Sequence, residues 1–170
     1  MNNKLTGWFS GLIGLALFTF IGIGLVSQNY EWSNNYSSYW SLSTKASTIE
    51  QKSQYMDTFV SALQASGLQG SNDAFFLKTP DNSFDQNFVA LQSLQSRLHD
   101  IKTMDVSSLQ YQQAISQITS QEQDGGDAMI SVFHECWLKV HYYWLWNQFI
   151  FIPLILFMGI CFFFSIVMFS

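Results

Sequence analysis

Two apolar stretches, one at each end of the chain, decide most of what it can fold into. Leu5 to Val26 reads LTGWFSGLIGLALFTFIGIGLV, and no charge lies between Lys4 and Glu31. Phe149 to Phe169 reads FIFIPLILFMGICFFFSIVMF, and no charge follows Lys139. A hydrocarbon core about 30 Å thick takes roughly 20 apolar residues, and both stretches reach that length. Backbone amides in lipid must pair within their own segment, so a helix is the form open to each. The sequence therefore predicts transmembrane helices over 5–27 and 148–169, with a helical domain over 28–147 between them.

A signal peptide is the rival reading of the first stretch. Its apolar run of about 22 residues exceeds the 7 to 15 of a signal-peptide core, so an uncleaved anchor is expected. Two spans return the chain to the side it started from. Residues 1–4 and the last residue are too short to form a domain. Both termini are therefore expected in the cytoplasm of a bacterial inner (plasma) membrane, with the central domain periplasmic or extracellular.

A chain of 170 residues has room for a membrane hairpin and one small domain. The net charge of −5 resides almost wholly in the middle. An acidic domain is not drawn to phosphate backbones, so nucleic acid is not an expected partner. Cys136 and Cys161, on one helix, would stand about 37 Å apart, far beyond the roughly 7 Å that a disulfide allows.

From Gln28 to Ser66 there is no glycine or proline. Apolar or small residues recur at Tyr39, Leu42, Ala46, Ile49, Ser53, Met56, Val60 and Leu63, a heptad seam broken by Ser53. This predicts one long, coiled-coil-like helix over 28–66 that continues out of the first span. Gly67 and Gly70 end it. Residues 67–83 hold turn formers and read as a loop, whose Phe75, Phe76 and Leu77 either cap the bundle or dock a partner.

The 84–102 helix carries Phe84, Phe88, Leu91, Leu94, Leu98 and Ile101 on one stripe, with caps at Asp81 to Ser83. A helix over 106–123 starts at Asp105 or Ser107. Gly125-Gly126 is expected to break the chain and Asp127 to cap a helix over 127–147 that leads straight into the second span. Trp137, Tyr142, Tyr143, Trp144 and Trp146 are expected to form an interfacial belt at headgroup level. Pro153 leaves the Phe149 carbonyl without its helical donor, so a kink is expected there.

The fold class is thus all-α, an up-down helical bundle flanked by two spans, with its first helix longer than its neighbours. This element order over 5–169 resembles the extracytoplasmic four-helix-bundle sensing domains of bacterial chemoreceptors and histidine kinases. The resemblance implies ligand sensing. No HAMP, kinase or methylation segment follows the second span, so such a sensor would signal to a separate partner.

A first helix projecting about 40 residues reaches roughly 60 Å, against about 30 Å for its 20-residue neighbours. Either it breaks near Ser43 to Thr48 and folds over the bundle, or Met56, Val60 and Leu63 form an assembly seam with another subunit. With no glycine or proline to turn it, the second outcome is expected. Gly7, Gly11 and Gly14 give the first span a small-residue face for close packing in lipid, against the second span, a copy or another protein.

His134, Glu135, Cys136 and His141 suggest a metal set at first sight. Two histidines seven residues apart are rooted about 10 Å apart on a helix, whereas zinc ligands sit about 2 Å from the ion. Cys136 falls on the packing seam and reads as a buried thiol; the histidine pair offers pH sensing. No HExxH, CxxC, GxSxG or phosphate loop is present. Neither span holds the ionisable side chain that a pump leaves inside the membrane.

The expectation is a non-enzymatic membrane subunit with no catalytic residue, metal or cofactor. It would scaffold or assemble a larger complex, such as a secretion or transport machine, with the bilayer and other membrane subunits or copies of itself as partners. The alternative is a ligand-sensing module with a polar pocket around Arg97, His99 and the 67–83 loop.

Overall fold

In the computed structural model the described residues are 3–68, 74 and 79–169, and every regular element among them is helical. The chain divides into two compact units, Met1–Tyr30 with Tyr142–Ser170, and Glu31–His141. The loop residues Phe75, Phe76 and Leu77 lie outside the described residues, as does Gly70.

In the first unit, α1 (Asn3–Trp32) and α7 (Gln148–Phe169) are long and apolar enough to cross a membrane. Phe9, Phe18, Ile23, Phe149, Phe163 and Ile166 are all more than half exposed, an outward apolar surface that suits lipid better than water. The buried positions of α1 in this unit are Gly7, Gly14, Ile21, Gly24 and Gln28, four of them seven residues apart. There α7 approaches: Ser10 Oγ donates to the Cys161 carbonyl at 2.7 Å. A Cβ on Gly11 would lie 2.8 Å from Ser165 Oγ, and one on Gly14 3.4 Å from the Phe162 ring. The small face is thus filled by the chain's own second apolar helix.

The expected passage of the 127–147 helix straight into the second span does not occur. Tyr142 (φ −132°, ψ 49°) and Asn147 (φ −82°, ψ 102°) leave helical geometry and isolate the four-residue α6 (Tyr143–Trp146). Asn147 serves as the start signal of α7, its Oδ1 accepting from Phe149 N at 3.0 Å while its Nδ2 donates to Tyr143 Oη at 2.8 Å. Pro153 falls in the second turn of α7, with helix on both sides.

In the second unit, a π turn (Ser33–Ser37) follows Trp32 and passes into α2 (Ser38–Lys45). Trp32, Tyr36 and Trp40 are buried, whereas Leu42 of the expected seam is 43 % exposed. The 4-4 spacing of the rings would drift about 40° per step around an α-helix; the wider π turn takes up that drift. The lower half of the seam therefore follows the large rings, not the heptad.

The long helix over 28–66 is interrupted. Ala46 is extended (φ −62°, ψ 134°), and Thr48 caps α3 (Ile49–Ala65) by accepting from Gln51 N. Ser43 Oγ donates to the Lys52 carbonyl at 3.1 Å, which pins the two helices antiparallel across the turn. Met56, Val60 and Leu63 are 0 %, 2 % and 0 % exposed within this one chain. The assembly seam is thus core, not free surface, because a side-chain cap turned the helix where glycine and proline were absent.

Gly67, at φ +74°, ends α3 as expected. Ser83 Oγ accepts from Gln86 N and opens α4 (Phe84–Lys102), whose stripe Phe84, Leu91, Leu94, Leu98 and Ile101 is buried. Ser108 caps α5 (Leu109–His141) through Tyr111 N at 3.1 Å. The expected break at Gly125-Gly126 is absent, since α5 runs unbroken through both.

These helices close into an up-down-up-down bundle. Trp40 meets Phe59 of α3, and Phe84 meets Phe133 of α5. Phe59 and Phe133, both 0 % exposed, touch across the middle at 6.3 Å between centroids. Asp57 Oδ1 accepts from Gln95 Nε2 at 2.7 Å and faces His99 Nε2 at 2.8 Å, tying α3 to α4 from outside.

Candidate functional site

Two features of the bundle are candidates, both built on the contact between the Trp32–Lys45 segment and α5. The first is an aromatic stack. Trp32 stacks on Tyr36 at 4.9 Å and meets the His134 ring at a tilt, also at 4.9 Å, and Trp137 stacks on His134 at 6.4 Å and on His141 at 5.0 Å. The Trp137 indole donates to the Tyr36 hydroxyl. Placing histidines three residues before and four after Trp137 puts all three rings on one side of α5. Burial holds the His134 pKa below its ordinary value and pushes the Glu135 carboxyl and the Tyr36 hydroxyl above theirs. Trp137 itself is 2 % exposed, so it belongs to this core and not to the expected interfacial belt.

The second feature is a cleft of about 370 Å³ between α2, α4 and α5. On α4, Asn87, Ala90, Leu94 and Arg97 share one helical stripe at the i, i+3, i+7, i+10 spacing, with Ser93 beside it. Facing them are Gly125, Gly126 and Met129 of α5, and Trp40 closes one side. A Cβ on Gly126 would come within 2.6 Å of Trp40 Cζ2, while one on Gly125 would meet nothing within 4 Å. Glycine at 126 thus lets the indole lie on the helix backbone; glycine at 125 leaves the cleft wall bare. Both Asn87 amide hydrogens are used, donated to the Asp81 carbonyl at 2.8 Å and the Ser83 carbonyl at 2.9 Å. Arg97 is the charged side chain among the described residues lining the cleft.

The polar pocket expected around Arg97 and His99 is thus split. Arg97 faces the cleft, while His99 pairs with Asp57 on the α3 side. Of the expected belt, Tyr143 is 48 % exposed, and the Trp144 ring covers Gly24 and stacks on Phe20 at 5.0 Å. Cys136 is fully buried and Cys161 nearly so, both as free thiols. Among the described residues no three His, Cys, Asp or Glu side chains are placed to share a metal ion.

Sequence reasoning missed Trp32, Tyr36 and Trp40 as a stripe, and with them the role of Gly126. The signal was present in the 4-4 ring spacing and in a glycine pair set inside an otherwise helical pattern. Comparison with protein-family models, with curated proteins and with solved structures returns no match to this chain.

Proposed function

We propose that this chain is a non-enzymatic integral membrane protein whose helical bundle binds a small ligand and passes its occupancy to a separate partner protein. The observation that carries the reading is the cleft between α2, α4 and α5. Its size lies within the range of small-molecule sites, and it joins apolar walls to a few polar groups. The two outward-apolar helices anchor the chain in a bilayer. The single basic residue flanking the first span, Lys4, is the charge cue for cytoplasmic ends and a periplasmic or extracellular bundle.

The test is ligand-observed NMR on full-length protein in lipid nanodiscs, screening small neutral and charged compounds against wild type and Ala90→Trp. Ala90 is exposed on the cleft wall, so the indole fills the cleft without entering the core. The reading requires compounds that bind wild type and lose binding in the filled variant. If no compound behaves so, the cleft is not a binding site.

A second reading keeps the chain as a subunit of a larger membrane complex. Its support moves from Met56, Val60 and Leu63 to the turn between α4 and α5, where Met104, Val106 and Leu109 are 37 %, 68 % and 68 % exposed. Crosslinking through a cysteine at position 106 in native membranes tests it, and an absence of adducts argues against it.

A further inference from the structure

We propose that the cleft takes a small uncharged amide on an apolar body, its carbonyl accepting from the Trp40 indole and its N–H donating to Asn87. The proposal rests on the cleft being a ligand site, and it adds the chemical class. Trp40 is 6 % exposed, and its indole N–H has no acceptor among the described residues. A buried donor without a partner forfeits a hydrogen bond, and the few that native proteins leave open call for a reason. Unlike Ser53 Oγ, the indole nitrogen is not fully enclosed, which leaves it open to a ligand. It adjoins Cε2, on the ring edge that faces the α5 backbone at the cleft wall, where a Cβ on Gly126 would lie 3.6 Å away. A molecule in the cleft supplies the missing acceptor.

Asn87 supplies the complementary group. Both its amide hydrogens go to the Asp81 and Ser83 carbonyls, which fixes the orientation of the side chain. Its Oδ1 thus remains an acceptor without a donor among the described residues. One unmatched donor and one unmatched acceptor in the same cleft suit a ligand that carries both, and an amide does. Charge is not what the cleft reads. Arg97 is already engaged within the protein, so an ion entering the cleft would give up its hydration without a free counter-charge. The apolar body lies along Ala90, Leu94 and Met129. Gly125 leaves room for it, since a Cβ there would meet nothing within 4 Å.

The experiment compares probes of nearly equal shape, phenylacetamide, phenylacetone, phenylacetate and phenethylammonium, by ligand-observed NMR on full-length protein in neutral-lipid nanodiscs, with empty nanodiscs as the blank. Phenylacetamide is expected to bind tightest. It leads phenylacetone, which keeps the carbonyl and lacks the N–H, by about fivefold, the worth of one hydrogen bond, and both ions by about tenfold. Benzothienylalanine placed at position 40 by amber suppression keeps the bicyclic ring and removes only the N–H, and amide binding is expected to weaken there by about fivefold. Ala90→Trp abolishes all binding. A ketone or ion that binds as tightly as the amide, or an amide affinity unchanged at the altered ring, overturns the assignment and leaves the cleft standing as a site. Binding that survives Ala90→Trp, or no probe binding at all, overturns the site and the assignment together. Should the altered ring prevent folding, the order of the probes in wild type decides.

Discussion

The Trp40 indole lies directly on the backbone of α5 at Gly126, so close that a Cβ there would sit 2.6 Å from Cζ2. Its neighbour Gly125 has nothing within 4 Å of the same point. The two glycines thus make opposite predictions for one substitution. Gly125→Ala raises stability by up to about 1 kcal/mol through helix propensity alone. Gly126→Ala gains the same propensity but displaces a buried ring, and lowers stability by about 1 to 3 kcal/mol. Thermal melts of the two variants check the signs, and a stabilised Gly126→Ala removes the ring contact from the account.

Ser53 Oγ is buried in the bundle with no hydrogen-bond partner among the described residues. Leaving a hydroxyl unsatisfied in a core is unfavourable, so Ser53→Ala raises stability, by about 1 kcal/mol. Chemical denaturation measures it. A destabilised variant means that the hydroxyl has a partner, such as a buried water.

Met56 and Leu63 are fully enclosed by their own chain. Truncating either to alanine is expected to lower stability by about 2 to 5 kcal/mol and to leave the crosslinked oligomer pattern unchanged. A changed pattern with an unchanged melting temperature would restore the assembly seam.

The Cβ that a residue at position 11 would carry lies 3.5 Å from Ser165 Cβ, within the span of a disulfide. Gly11→Cys with Ser165→Cys, on a Cys161→Ala background, therefore forms a bridge within one chain on mild oxidation. Non-reducing electrophoresis reads it as a faster monomer band. A ladder of dimers instead places the glycine face against another copy.

Burial makes His134 harder to protonate in the folded protein than in the unfolded chain, whose ordinary value is 6.5. Below that pH the unfolded state binds the extra proton, so stability is full above about 6.5 and declines as pH falls through it. Glu135 works the other way: its raised pKa favours the folded state when protonated, and that contribution is lost as pH rises from 4.5. His134→Phe keeps a ring between Trp32 and Trp137 and is expected to flatten the fall in melting temperature between pH 7 and pH 5.5. Glu135→Gln is expected to raise the melting temperature at pH 7. An unchanged slope in His134→Phe shows that the histidine is not the titrating group.

What could be read from the sequence was what local chemistry alone decides. Leu5 to Val26 and Phe149 to Phe169 stood out by length, and α4 by a serine cap followed by a 3.6-residue stripe from Phe84 to Ile101. The misreadings share a cause, tertiary contact overriding a local rule. Gly125-Gly126 reads as a break until Trp40 is laid over it. Ala46 to Thr48 reads as continuous helix until the gain from burying Met56, Phe59 and Leu63 against the same chain is counted. The heptad at Tyr39 and Leu42 was a plausible seam, but burying Trp32, Tyr36 and Trp40 removes more apolar area from water. The cleft followed from none of the local patterns, because it needs the register of three helices at once.

The π turn at Ser33–Ser37 holds one residue more than an ordinary helical turn there would use. Losing a single codon in that stretch would let the backbone rewind to an ordinary helix with Trp32 and Trp40 seven residues apart, within about 20° of one face. The rings on α5 would still meet an indole beneath them. Inheritance of this fold is therefore tolerant of chain length at that point: a descendant can drop the surplus residue and keep both indoles toward α5, because the wider turn and the shorter chain arrive at the same phase.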